Sequence, residues 1–287
     1  MKHILIRRSR YRYVCSLMLL AFVSVCFSVS SPVFADTDAE DARVNINDIK
    51  FEDKQWGRAF LQFLQVGPMI LSRDEVFDVA PPPANGSQIT KDELIFLKNL
   101  EKNKRNEDTR LRIYSENAAT SPREFFVKEG LLNAENYNTI SLLILIHADQ
   151  TYFIMERKKH FSRARPSQLD EDLGTVIPNP AHAAYPSGHA SQAYIVALVL
   201  SEFDPENAEK YKKVAIDVAH RREIAGVHYP SDSVAGRKLA VDILARLRAV
   251  PVFEKKFQEA KASYLKPSLI VMTDEEFFKL MNRKIVK

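Results

Sequence analysis

Residues 184–200 read AYPSGHASQAYIVALVL. The chain has 8 glycines in 287 residues, and one of them stands between Ser187 and His189, just after Pro186. Proline ends whatever helix precedes it, and the apolar run Ala193–Leu200 reads as a buried helix. Ser187, Gly188 and His189 therefore fall at the N-terminus of that helix. The free N–H groups of a first helical turn and the helix dipole both attract an anion. Glycine lets the backbone come close to it. The four residues Pro186–His189 form half of an oxyanion cradle with a histidine at its rim. A Ser-Gly turn before a helix is common, so the reading depends on what the rest of the chain brings to it.

Two further clusters extend it. The first is Lys158, six residues, then Arg165-Pro166. Positions seven apart share a helix face two turns apart, and Pro166 disfavours helix at Arg165. A helix over 138–164 is expected to end there with both cations directed into a site. The second cluster is Arg222, five residues, His228, three residues, Asp232. It spans the end of one helix at Gly226 and the start of the next near Ser231. Each cluster has a structural reading when taken alone. Basic residues satisfy a helix C-terminus, and a single histidine often serves packing. Together the clusters have a chemical reading. Three cations with backbone donors suit the equatorial oxygens of a phosphoryl group. One histidine can attack phosphorus in line while the other protonates the leaving oxygen. Asp232 can hold the tautomer of the attacking imidazole.

Helix signals recur along the whole chain and strand alternation does not, so the expected fold class is all-α. Helices are expected at 90–104, 121–130, 138–164, 189–203, 205–225, 231–249, 251–264 and 273–284. Thr90–Glu93, Ser121–Glu124 and Thr273–Glu276 read as helix starts with capping boxes, and Asp204-Pro205 as another start. The segment Ile140–Ile146 is apolar all round, which suits a central helix. Pro81–Ser87 is a loop. The mixed-charge run Lys98–Arg112 reads as a solvated helix face. No internal repeat is present.

The N-terminus carries Lys2, Arg7, Arg8, Arg10 and Arg12, then an apolar stretch from Val14 to about Val29, then Val33-Phe34-Ala35. That is the layout of a secretory signal peptide, too short in its apolar core for a spanning helix. Cleavage after Ala35 removes those five cations and no acid. The formal charge of +4 is then a property of the targeting signal and becomes −1 in the mature chain. Nucleic-acid binding is not indicated. Cys15 and Cys26, the chain's 2 cysteines, leave as well, so no disulfide framework is expected. The expected organisation is a signal peptide at 1–35, an N-terminal segment at 36–80, the main domain at 81–265 and a helical extension at 266–287.

The order K-x6-RP, PSGH, R-x5-H-x3-D resembles the signature of the superfamily joining type 2 phosphatidic acid phosphatases, bacterial nonspecific acid phosphatases and vanadium haloperoxidases. From about Pro81 to Tyr264 the chain looks most like a class A bacterial nonspecific acid phosphatase. The likeness includes the loop Pro81–Ser87 and the stretch from His228 to Arg237. It implies an all-α helical bundle with the site at helix ends. The implied activity is a metal-free, cofactor-free acid phosphatase, periplasmic or secreted, that hydrolyses small phosphate monoesters through a phosphohistidine. Proteins of this kind are often oligomeric. Residue by residue, Lys158, Arg165 and Arg222 match the phosphate-binding cations, and Ser187 and Gly188 the phosphate-binding turn. His189 matches the general acid, His228 the nucleophile and Asp232 its orienting partner.

The third motif usually opens Ser-Arg, whereas here it reads Arg221-Arg222. The cysteine pair of many relatives is absent from the mature chain. Two alternatives share the clusters. A vanadate-dependent haloperoxidase uses the same groups but is usually a much longer chain. A non-catalytic phosphate-binding protein would need neither both histidines nor Asp232. A lipid phosphate phosphatase normally carries several membrane spans, and no segment of the mature chain is long and apolar enough for one. The histidines show no zinc-type spacing.

Overall fold

The computed structural model describes residues 45–119 and 121–285, with the backbone alone at 280–285. The expected signal peptide, with Cys15 and Cys26, lies outside the described residues. Eleven α-helices run through the described residues: α1 Arg58–Val66, α2 Gln88–Lys104, α3 Glu107–Ala118, α4 Arg123–Lys128, α5 Tyr137–Phe161, α6 Pro166–Leu169, α7 Gly188–Phe203, α8 Ala208–Ile224, α9 Pro230–Arg248, α10 Pro251–Ala262 and α11 Asp274–Ile285. No strand forms among them; the one extended pairing is an isolated antiparallel bridge between Lys50 and Arg163. The all-α expectation therefore holds. No helix of the described residues is long and apolar enough to cross a membrane.

Helix α5 is the central element. It packs against α1, α7, α9 and α10, and Leu142, Leu143, Ile146, Phe153 and Ile154 are buried along it. Helix α7 lies between α8 and α9. Its Ala193, Ala197 and Val199 are fully buried, small enough to admit Val218 of α8 and Leu239 and Ile243 of α9 into one core. Burial on most sides explains why α7 lacks an amphipathic pattern.

Several expectations change. The cap of α2 is Ser87, not Thr90: the Ser87 side chain accepts from Thr90 N at 3.3 Å, and the Thr90 hydroxyl donates to Ala84 O at 2.9 Å. The capping box at Thr273 forms as expected. Thr273 Oγ1 accepts from Glu276 N at 3.2 Å, and a Glu276 oxygen accepts from Thr273 N at 2.8 Å. The run Lys98–Arg112 is not one solvated face. It breaks at Arg105, whose guanidinium donates to Ile224 O at 2.7 Å and Gly174 O at 2.9 Å. A separate helix α3 follows, and its Arg112 is buried among carboxylates. Helix α1 was not expected. Just after it, the buried Asp149 of α5 accepts N–H groups of Ile70 at 3.0 Å and Leu71 at 2.7 Å, which ties the N-terminal segment to the bundle.

Helix α9 meets the start of α7 at Gly236. A Cβ there would lie 2.5 Å from the Ser187 carbonyl oxygen and 3.2 Å from Ser191 N. Both are backbone atoms, so no side-chain rotation can relieve the clash. Overpacking of this kind costs about 1–3 kcal/mol. Gly236→Ala should therefore lower the midpoint of thermal unfolding, by roughly 2–4 °C per kcal/mol in a domain of this size. An unchanged midpoint in a calorimetric scan would show that the two helices can separate freely.

Candidate active site

Lys158 sits in the last turn of α5 and is fully buried. Its Nζ donates to Ala183 O at 2.7 Å and Ala184 O at 2.8 Å. An ammonium has three donors, so one remains for the site. The helix does not run on to Arg165 as expected. It ends at Phe161, and Ser162 takes a left-handed φ of 47°. Lys158 and Arg165 therefore do not share a helix face; the turn at Ser162 brings them together. Arg165 caps the short helix α6, its N–H bonded to Gln168 Oε1 at 2.7 Å. Its guanidinium donates to Val227 O at 2.6 Å and His182 O at 2.7 Å, and Nη1 lies 3.2 Å from His228 Nε2.

Helix α8 brings Arg222, which is 1% exposed. Its sole hydrogen bond among the described residues is a 3.5 Å contact from Nη1 to Asn117 Oδ1. Its Nε and Nη2 are buried with no partner. Buried donors are almost always paired, and a buried cation more so.

The first turn of α9 holds Asp232. One oxygen, Oδ2, accepts from His228 Nδ1 at 2.9 Å and from Tyr229 N at 3.1 Å. The other accepts from Arg163 Nη1 at 2.6 Å. With Nδ1–H donating to the carboxylate, the lone pair of His228 lies on Nε2, where it accepts from Arg165 Nη1 at 3.2 Å. The Asp232 backbone carbonyl accepts from Ser187 N at 2.9 Å, which joins the start of α9 to the start of α7. The Ser187 side chain caps α7 by accepting from Ala190 N at 3.4 Å. A Cβ on Gly188 would meet only Ile154 at 3.7 Å and Lys158 Cε at 4.0 Å, ordinary contacts. Packing alone does not demand glycine there, in contrast to Gly236. The His189 ring, half-buried, stacks on Phe125 with centroids 6.5 Å apart.

The electrostatics follow from burying cations together. Burial, then the charges of Arg165 and Arg222, push Lys158 well below its ordinary value, against the pull of Asp232. Burial brings Arg165 down to about 9 and Arg222 down to about 10. In both His228 and His189, burial and then the charges of Lys158, Arg165 and Arg222 lower the pKa well below the ordinary histidine value. All eight expected residues, Lys158, Arg165, Ser187, Gly188, His189, Arg222, His228 and Asp232, thus gather in one largely buried, anion-deficient cluster.

The sequence reading missed the supports. Arg163 bonds Ser231 Oγ at 2.8 Å and Glu93 Oε2 at 3.1 Å as well as Asp232, with its guanidinium carbon 3.9 Å from the Tyr229 ring centre. Arg163 could have been found, because two residues apart in an extended segment share a side with Arg165. Glu93, Asn117 and Phe125 come from distant parts of the chain, and no spacing marks them; His182 stands only four residues before Pro186. Among the described residues no group of three or more His, Cys, Asp or Glu side chains could hold a metal ion.

Residues 138–253, which contain all eight, match the family model of the PAP2 superfamily. The chain is similar to the non-specific acid phosphatase of Salmonella typhimurium, 34% identical over 117 residues covering 38% of this chain and 46% of that one. It is similar also to the non-specific acid phosphatase of Providencia stuartii, 40% identical over 85 residues covering 30% and 34%. The match thus spans less than half the length of either curated relative. In fold the chain is similar to a bacterial vanadium-dependent iodoperoxidase, with a TM-score of 0.51 and 18% identity, covering 67% of this chain and 58% of that one.

His147, His182, His189 and His228 all have pKa values lowered first by burial. Between their folded values and the unfolded value of about 6.5, the unfolded chain binds more protons than the folded one, so stability falls as pH falls. The urea midpoint of the ligand-free protein should drop between pH 7.5 and pH 5. A flat or rising midpoint over that window would show that these imidazoles are not held neutral.

Proposed function

We propose that the chain is an acid phosphatase of the PAP2 superfamily, whose family model matches residues 138–253, hydrolysing small phosphate monoesters through a phosphohistidine without a metal ion. The observation that carries this reading is Arg222, a buried guanidinium with two nitrogens left unbonded beside Lys158 and Arg165. A tetrahedral dianion supplies what they lack. Its oxygens can take Arg222 Nε and Nη2, the third Lys158 donor and the N–H groups at the start of α7.

His228 is the nucleophile. Asp232 holds its Nδ1–H, which leaves the lone pair on Nε2, beside Arg165 Nη1 at 3.2 Å, as the attacking group. Its lowered pKa keeps that lone pair unprotonated below the ordinary histidine value, which suits chemistry in acid. Attack forms the Nε2–P bond as the ester P–O bond breaks, and the leaving oxygen takes a proton from His189. The cations that hold His189 neutral at rest act in the opposite sense once a dianion lies among them. An opposite charge within a few ångströms raises an imidazole pKa, so substrate binding itself prepares the acid. Water then attacks the phosphohistidine, with His189 receiving its proton. The stretch Lys2–Ala35 supports export to the periplasm or the medium.

Hydrolysis of p-nitrophenyl phosphate with and without a chelator tests the reaction. Full activity with chelator, and inhibition by vanadate tighter than by phosphate, is the expected result, since vanadate can adopt the five-coordinate geometry of the transition state. Loss on chelation restored by zinc or magnesium would sink the mechanism.

The histidines separate by leaving group. p-Nitrophenolate needs little protonation, so His189→Ala should lose far more rate on an alkyl phosphate. General acid catalysis is worth about 10²–10⁴-fold. His228→Ala should lose nearly all activity on both. Acid-labile phosphate trapped on rapidly quenched His228→Ala but not on His189→Ala would reverse the roles.

A further inference from the structure

Beside Arg222 in α8 stands Arg221, where the related motif usually has serine. Adjacent helical residues point about 100° apart, and Arg221 does not turn into the anion-deficient cluster. Its Nε donates to Glu116 Oε1 at 2.9 Å, and its Nη2 forms an ion pair with the same oxygen at 2.7 Å. Glu116 lies in α3 and is 1% exposed. Arg112 Nε donates to the same oxygen at 2.8 Å. Arg112 is itself fixed by Glu129 at 2.7 Å and by Asp274 of α11 at 3.0 Å. The other Glu116 oxygen, Oε2, is buried with no partner.

Glu116 is the carboxylate whose charge acts on Arg222, opposing the effect of burial on its pKa. The next residue, Asn117, touches Arg222. A buried carboxylate oxygen without a donor thus lies near a buried guanidinium with two N–H groups without acceptors. Left to itself, such a pair closes, because each half is costly to bury alone. Among the described residues Glu116 forms ion pairs with Arg112 and Arg221 and none with Arg222. Two N–H donors, one from Arg221 and one from Arg112, hold Oε1 in place, and the Arg221 Nη2 ion pair adds to them.

We propose that Arg221 is a positioning residue for the phosphate site, holding Glu116 off Arg222 so that Nε and Nη2 of Arg222 stay free for phosphoryl oxygens. The inference rests on Arg222 binding phosphate, as argued above. Serine has one donor and a short reach, so it could not perform this task opposite a buried glutamate. Arg221 and Glu116 therefore act as a matched pair. Without Arg221, Glu116 competes with substrate for Arg222. The loss falls on anion affinity, while His228, Asp232 and His189 are untouched.

The test uses the full-length protein and two readouts: calorimetric titration with inorganic phosphate, and steady-state hydrolysis of p-nitrophenyl phosphate. Arg221→Ala should raise the phosphate Kd and the KM about tenfold, with kcat within about threefold of the parent. The double variant Arg221→Ala/Glu116→Gln should recover the parental Kd, because the neutral amide no longer competes. Glu116→Gln alone should bind phosphate at least as tightly as the parent, and this arm needs no folded Arg221→Ala. A double variant as weak as Arg221→Ala, a parental Kd in Arg221→Ala, or weakened binding in Glu116→Gln would each overturn the proposal. A parent protein that binds phosphate without hydrolysing esters would sink the hydrolase reading alone, the Kd values still deciding the role of Arg221. A parent protein that binds no phosphate would overturn both.

Discussion

Asp232 is the residue on which the rest of the site depends. Its carboxylate orients His228 Nδ1, accepts the Tyr229 N–H and pairs with Arg163. Its backbone carbonyl accepts from Ser187 N. One fully buried residue therefore fixes the histidine, the start of α9, the start of α7 and the turn after α5. A buried carboxylate is tolerated when its lone pairs are used, and breaking such an arrangement from one side leaves an uncompensated charge. The close approach at Gly236 serves the same junction, letting α9 lie against the first turn of α7 with nothing between the backbones.

Against this fully bonded carboxylate, the Arg222 guanidinium is under-bonded. The chain does not lack acids, with 37 Asp+Glu. It neutralises buried Arg163 with Asp232 and Glu93, and buried Arg112 with Glu116, Glu129 and Asp274. Arg222 alone of these three has no carboxylate bonded to it among the described residues, and Nε and Nη2 have no partner at all. Arg163 leaves only Nε without a partner, whereas Arg222 leaves two nitrogens.

The same deficit sets the protonation of both histidines. Burial and neighbouring cations keep them neutral. The two imidazoles share one field and differ in partner: among the described residues His228 has a carboxylate on its far nitrogen, and His189 stacks on Phe125.

Sequence by itself determined the helical class, the central buried helix, the three clusters that supply the candidate site and the pairing of His228 with Asp232. These are short-range facts. Helical periodicity, the proline and glycine stops, and an i to i+4 spacing across a helix start all act within a few residues. The three clusters are legible because each sits at a helix end, where local signals are strongest. Only the tertiary structure decided how they meet. The spacing of Lys158 and Arg165 suggested one helix face, yet the helix stops at Phe161 and a left-handed turn at Ser162 does the work. Glu93, Asn117 and Phe125 are placed by the packing of helices distant in sequence, which no spacing encodes. The partner of Arg221 is of this kind. Glu116 lies 105 positions away along the chain, and Coulomb attraction depends on separation in space, which is fixed only once α3 and α8 have packed.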